Sequence, residues 1–239
     1  ILVITSNMEN APSKVQKKIL KVVVSLGLPN FYLVGGTALT FRFRHRLSED
    51  LDFFTSAWSK SLHQKVARYI TKKTGFTGRL VNETTRHGRV KMAVYNFEIG
   101  SKPGLKVDFV EDFDRLIHPV EKDGITSVDD LYLRKIRAAI GWTEKASSIG
   151  RPMAGGRQAS RDMFDLWYLS EHHSPLSEWF PQHFVRSEYA RLAAWLRAMS
   201  TQTILLDLMD VAPGCDVRRI RSHLENQVYD RLNRTYIQP

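Results

Sequence analysis

Cysteine is almost absent from this chain: Cys215 is the single one in 239 residues. An internal disulfide is therefore excluded, which fits a reducing cytosol, and Cys215 itself reads as a small side chain in a helical hairpin rather than a catalytic thiol. No apolar run approaches the roughly 20 residues that a membrane helix needs, so nothing here reads as spanning a bilayer. Internal repeats and low-complexity segments are missing too. His118, His172 and His173 lack the spacing of a zinc site and are treated as ordinary residues. Acidic residues are in deficit, 25 Asp plus Glu against 35 Lys plus Arg, for a net charge of +10 and a pI near 9.8. An excess of that size favours a polyanionic partner, RNA foremost, with an acidic protein partner as the rival; charge alone does not separate them. The chain opens on Ile1-Leu-Val rather than methionine, which leaves open a native N-terminus upstream.

What is present is a soluble, globular composition, 43% hydrophobic and 25% charged, long enough for one large domain or two small ones. The organising stretch runs from Phe31 to Phe54, FYLVGGTALTFRFRHRLSEDLDFF. Phe31 to Val34 reads as a strand, Gly35-Gly36 as a turn, the residues from about Thr37 as a short helix, and Asp50 and Asp52 as lying on a second strand. A glycine pair between strand and helix lets backbone approach a ligand closely, and a helix N-terminus offers free N–H groups to phosphate oxygens. Strand side chains alternate, so Asp50 and Asp52 share one face, Ser48 falls on it as well, and His45-Arg46 stands just ahead. Paired carboxylates of this kind suit Mg²⁺ bridged to substrate phosphates. A phosphate cradle followed by Asp-x-Asp is what nucleotidyl or phosphoryl transfer by two metals requires. Each signal taken alone also fits an ordinary turn or a solvated strand face.

Elsewhere the chain alternates between helical and strand periods. Asn10-Ala-Pro-Ser reads as a helix entry with Pro12 in the first turn, and the helix runs to Gly27. Lys60 to Lys73 is amphipathic with a basic outer face. Phe76 to Val81, Val90 to Phe97 and Leu105 to Val110 read as strands, broken at Arg86-His-Gly88 and Ser101-Lys-Pro-Gly104. On the third, Lys106 and Asp108 share a face. Glu111, Asp112 and Asp114 read as a solvated acidic loop. From Ser127 the pattern is helical, opening on a cap with an acid three residues later, and Lys135 falls mid-helix. Residues 144 to 160, with Gly150, Pro152, Gly155 and Gly156, read as a mobile loop. Helix 161 to 171 carries Arg161, Asp162 and Asp165, the two acids three apart and so neighbours on its surface. Beyond Pro175, segments 176 to 200, 202 to 210 and 216 to 234 read as helices with core aromatics, and Arg218, Arg219, Arg221, Arg231 and Arg234 give a second candidate RNA surface.

The segment LVGGTALTFRFRHRLSEDLDFF resembles the signature of the AbiEii/AbiGii toxin family, nucleotidyltransferases of the DNA polymerase β superfamily from bacterial toxin–antitoxin pairs. Later matches come in order: Lys106-Val-Asp108, Asp130-Leu-Tyr-Leu-Arg-Lys135 and Arg161-Asp-Met-Phe-Asp-Leu166. The resemblance covers most of the chain to about Leu169 and fades afterwards. It implies an α+β fold, a nucleotidyltransferase-like mixed sheet flanked by helices over about 1–126, then a helical region over 127–239 that closes over the nucleotide. It implies Asp50, Asp52 and Asp108 as a catalytic, metal-holding set for Mg²⁺ or Mn²⁺, with Lys135 neutralising phosphate charge. Gly35, Gly36, Thr37, Arg46, Ser48 and Lys106 would line the NTP, and Arg161, Asp162 and Asp165 would border the site. It further implies a cytoplasmic toxin that transfers NMP to RNA, the tRNA 3′ end foremost, blocks translation, and is held by a cognate antitoxin. Transfer to a protein hydroxyl or a small molecule, and a non-catalytic module binding RNA or an acidic partner, stand as alternatives.

Overall fold

Ser13 opens the first helix. Its hydroxyl accepts the Gln16 amide at 3.1 Å, and the Gln16 side chain returns to the Ser13 amide at 2.7 Å, a reciprocal cap that starts α1 (Lys14–Val24). Pro12 therefore stands ahead of the cap, where the sequence had suggested the first turn. Ile19, Leu20 and Val23 are buried while Lys14, Lys17, Lys18 and Lys21 are exposed. The structure, a computed structural model, describes residues 10–86, 90–100, 102–141, 145–146, 152–153 and 156–237.

β1 (Phe31–Val34), α2 (Gly35–Phe43), β2 (Leu51–Thr55) and α3 (Lys60–Thr74) follow. Two expectations are corrected here. The helix begins at Gly35 rather than about Thr37, so both glycines lie in its first turn. Asp50 sits one residue ahead of β2 instead of on it. Arg44 closes α2 in a left-handed conformation, φ 51°, and turns the chain back toward β2.

β3 (Thr77–Thr84), β4 (Met92–Ile99) and β5 (Lys102–Glu111) complete a five-stranded sheet in the order β1-β2-β5-β4-β3. β2 and β5 are parallel and the remaining neighbours antiparallel, the mixed sheet that the family resemblance implied. β5 starts three residues before the expected Leu105, because Ile99 already pairs with Lys102 across a turn taken by Gly100 at φ +59°. Of the expected break at Arg86-His-Gly88, the histidine and glycine lie outside the described residues. Phe31, Phe53 and Phe109 stack beneath the sheet, with ring centroids 5.6 to 6.2 Å apart. Strand alternation then sends Asp52 and Asp108 to the opposite face. The supposed acidic loop after β5 is partly buried. Glu111 pairs with Lys91 at 2.8 Å, and Asp112, 6% exposed, accepts the Tyr32 hydroxyl at 2.6 Å and the Asp114 amide at 3.0 Å. A carboxylate out of water needs such donors.

The chain divides between Leu131 and Tyr132 into two compact units. That division falls inside α4 (Val128–Ile140), whose entry is the expected cap: Ser127 Oγ accepts the Asp130 amide at 3.0 Å, and the Asp130 carboxylate accepts the amides of Ile117 and His118. Within 144–160, read from sequence as a mobile loop, β6 (Lys145–Ala146) and β7 (Pro152–Met153) pair as an antiparallel ribbon; Gly150 and Gly155 lie outside the described residues. α5 (Ser160–His172) follows. The expected helix 176–200 is broken into α6 (Leu176–Trp179), a 3₁₀ turn (Phe180–Gln182) and α7 (Arg186–Ala198). Pro181 supplies no amide to continue an α-helix. α8 (Thr201–Leu208), α9 (Val217–Glu225), a π-helical stretch (Asn226–Leu232) and α10 (Asn233–Ile237) end the chain. Trp179, Phe180, Phe184 and Trp195 are core residues of this unit. Among the described residues no helix is long and apolar enough to cross a membrane.

Candidate active site

The turn from β1 into α2 is built without side chains because there is no room for them. Gly35 has φ +77°, and a Cβ on it would fall 2.2 Å from Asp52 Oδ2; a Cβ on Gly36 would fall 2.3 Å from Arg46 Nη2 and 3.0 Å from Ser48 Oγ. The glycine backbone thus lies directly against an acid on one side and a guanidinium on the other. Thr37 donates to the Asp50 carbonyl and lies 2.8 Å from Ser48 Oγ. Thr40 Oγ1 lies 3.0 Å from the carbonyls of both Gly36 and Arg46. Arg46 is 2% exposed and donates to the Leu47 carbonyl at 2.7 Å. Its guanidinium is packed against Gly36, filling the place that a Cβ there would take.

The acids meet through strand register. Asp52 pairs with Asp108 across the parallel β2–β5 ladder, and Val34, the last residue before the glycines, pairs with Asp52 on the other side. Lys106 Nζ lies 2.9 Å from Asp108 Oδ2 and 3.3 Å from Asp50 Oδ2. Asp108 is 7% exposed, and its second oxygen, Oδ1, is buried with no hydrogen-bond partner. Burial raises the Asp108 carboxyl above its ordinary range, and the Asp50 charge adds to this; the Lys106 ammonium opposes both without overcoming them. For Lys106 burial acts downward, yet the hydrogen bond and charge of Asp108, with those of Asp50, hold its ammonium above the usual lysine value.

As donors, Asp50, Asp52 and Asp108 fit a hard divalent cation, and the orphaned Asp108 Oδ1 is an oxygen ready to serve one. As the side chains stand, no three ligating groups among the described residues converge on one point. The positive charge between Asp50 and Asp108 is the Lys106 ammonium.

The other candidates belong to the second unit. Lys135, 4% exposed, binds Asp162 at 2.8 Å and Asp165 at 2.6 Å, and Arg157 binds Asp162 through Nε and Nη2 at 2.6 and 3.0 Å. Both acids are fully buried, which corrects the reading of them as surface neighbours: the spacing of three is right, but that helix face is covered. Arg161 is exposed, and the arginine that answers Asp162 is Arg157, from the segment read as a loop. Burial works to raise the Asp162 carboxyl, but Lys135 and Arg157 outweigh it and hold it below the ordinary range.

One residue that sequence reasoning passed over is Gln16, whose side-chain amide donates to the carbonyls of Ser48 and Glu49, beside Asp50. The Ser13-x-x-Gln16 spacing was a visible cap signal; its second duty was not.

Several known proteins share this architecture. In H. pylori, a protein assigned as a nucleotidyltransferase is similar in its crystal structure with a TM-score of 0.56 and 16% identity, over 92% of this chain and 93% of that one. MenT4, a nucleotidyltransferase toxin of Mycobacterium tuberculosis H37Rv, has a TM-score of 0.56 at 14% identity, over 89% of this chain and 80% of its own. At those identities the likeness shows the fold. An uncharacterised protein of Aquifex aeolicus (strain VF5) is 30% identical over 161 residues, 67% of this chain and 68% of that protein. The family model described as "Nucleotidyl transferase AbiEii toxin, Type IV TA system" matches residues 18–227. With a match across most of its length, the chain belongs to the AbiEii family of nucleotidyltransferase toxins.

Proposed function

We propose that this protein transfers a nucleoside monophosphate from an NTP to an RNA acceptor, the tRNA 3′ end foremost, releasing pyrophosphate, and so acts in the cytoplasm as the translation-blocking member of a pair with a cognate antitoxin. The observation that carries this reading is the register that sets Asp52 opposite Asp108, on strands flanked by the glycine turn. Asp50, Asp52 and Asp108 would hold Mg²⁺ or Mn²⁺, which when bound lowers the charge repulsion between an attacking oxygen and the triphosphate. Gly35 and Gly36, at the N-terminus of α2, present backbone N–H groups to phosphate oxygens. Thr37 and Ser48 hold the segment that carries Asp50. Asp108, set opposite Asp52 by the strand register, is suited either to complete the coordination of the divalent ion or to take the proton of the acceptor hydroxyl as its oxygen bonds to the α-phosphorus and the bond to pyrophosphate breaks. Lys135 we assign to joining α4 and α5 through Asp162 and Asp165, since its ammonium is already shared between two buried carboxylates. The net charge of +10 supports an RNA acceptor.

The test is label transfer from each of the four NTPs into total tRNA with Mg²⁺ or Mn²⁺. Incorporation that Asp52→Asn abolishes is expected. No incorporation with any NTP, beside a working control enzyme, overturns the reading. An RNA acceptor also requires affinity that falls steeply between roughly 50 and 200 mM salt; transfer that is indifferent to salt and proceeds on a protein or small molecule overturns the choice of acceptor alone.

A further inference from the structure

Lys106 projects from the same strand face as Asp108, two residues away, and reaches two acids at once: Asp108 Oδ2 at 2.9 Å and Asp50 Oδ2 at 3.3 Å. Asp108 is 7% exposed, while the Lys106 and Asp50 side chains are 45% and 42% exposed. An ammonium can only donate, and it serves one oxygen of Asp108; the other, Oδ1, is buried with no partner. One ammonium thus answers two carboxylates, which are left neither fully neutralised nor saturated. No three ligating groups among the described residues converge on one point.

We propose that Lys106 is the resident counter-ion of this site, a positioning residue whose ammonium holds Asp50 and Asp108 when no divalent ion is bound and which a divalent ion must displace in order to bind. The inference rests on the nucleotidyltransferase reading above and deepens it. A divalent cation brings twice the charge and accepts lone pairs from several oxygens, the orphaned Asp108 Oδ1 among them, so it wins the place once delivered. Until then the lysine competes with it. The four-carbon stem lets the displaced ammonium turn to another anion, and an arriving triphosphate offers one. Metal carried in on the nucleotide is therefore bound more readily than metal alone.

A lysine that merely supports structure would, when removed, weaken metal binding; a competing lysine does the reverse. The experiment titrates metal-free protein with Mn²⁺, followed by the electron paramagnetic resonance of the free ion, for wild type, Lys106→Met, Lys106→Gln and Lys106→Arg. The Met and Gln variants are expected to bind Mn²⁺ about tenfold tighter than wild type, as removal of a like charge within about 4 Å permits at a half-exposed site. Arg, which keeps the charge, is expected to bind no tighter. Melting in EDTA gives a second readout: Lys106→Met should melt below wild type and gain more from added Mg²⁺. Equal or weaker Mn²⁺ binding by the folded Met and Gln variants overturns the inference, and wild-type label transfer then leaves the proposed function standing. Absence of Mn²⁺ binding by every variant, with no label transfer, overturns both.

Discussion

The side-chain amide of Gln16 donates to the main-chain oxygens of Ser48 and Glu49, at 2.8 and 3.1 Å, from 32 and 33 residues away. The oxygen of the same side chain closes the cap of α1. One residue, 3% exposed, therefore ties a helix N-terminus to the segment that presents Asp50. Gln16→Leu fills the volume but leaves two carbonyls and an amide without this partner. Unfolding in urea should show a loss of about 2–3 kcal/mol, on the scale of unmade buried hydrogen bonds plus a lost cap. In label transfer kcat should fall while the far-ultraviolet circular dichroism spectrum stays that of wild type. Transfer at the wild-type rate would mean that the position of Asp50 does not depend on this tie.

The two glycines of the turn should not respond alike. At Gly35 an added methyl meets the Asp52 carboxylate at 2.2 Å, and the backbone is at φ +77°, which L side chains rarely adopt. At Gly36 the obstacle is the far end of the Arg46 side chain, which has some freedom to shift, together with Ser48 Oγ at 3.0 Å. Gly35→Ala is expected to lower transfer by at least about a hundredfold, since misplacement of a site by about 1 Å costs that much. Gly36→Ala should cost clearly less. Equal losses, measured as kcat/KM for the NTP, would contradict the assignment of Asp52 as the acid touching the turn.

Much of the first unit was legible because its signals are local. The glycine pair between strand and helix, and the shared face of Lys106 and Asp108, follow from short-range geometry; that Asp108 lies beside Asp52 was implied by the family resemblance and not by spacing. What sequence could not give was depth. Asp162 and Asp165, three apart on a helix, are spaced the same way on a wet face as on a buried one; Lys135, 27 residues earlier than Asp162, decides between them. Asp112 similarly looks like loop acid until Tyr32, 80 residues away, is seen to donate to it. The 176–200 region is a different case, since Pro181 was a local breaker in plain view.

Asp108 sets activity against stability. Its carboxylate is buried, its Oδ1 unpartnered, and its folded-state pKa lies above the ordinary one, so the charged form is the less favoured in the fold. Asp108→Asn keeps the shape, and the amide oxygen, set where Oδ2 now stands, can still accept from Lys106. In EDTA at neutral pH the variant should melt higher than wild type by about 2–4 °C, the response of a protein of this size to roughly 1 kcal/mol, and transfer should be abolished. A lower melting temperature would show that the Lys106 pairing outweighs burial.

The cluster of Lys135, Arg157, Asp162 and Asp165 should make the protein acid-labile with a definite sign. The folded-state pKa of Asp162 is depressed, because Lys135 and Arg157 together overcome its burial. A depressed acid stabilises the fold above its unfolded value of about 3.9 and loses that contribution as pH falls through the folded value. Asp108 acts in the opposite sense, its raised pKa favouring the fold as it protonates. Urea unfolding from pH 7 downward should therefore show stability dropping below about pH 4, with the drop flattened in Asp162→Asn; the gain from protonating Asp108 falls above about pH 4, between its unfolded and its raised folded value, and should be missing in Asp108→Asn. Lys135→Met is the harsher change, since two fully buried carboxylates lose a shared cation; about 3–5 kcal/mol at pH 7 is expected. Part of that loss should return in Lys135→Met combined with Asp165→Asn, because the double variant removes one of the stranded charges. A double variant no more stable than Lys135→Met alone would mean that Asp165 is held by its other partners and does not depend on the lysine.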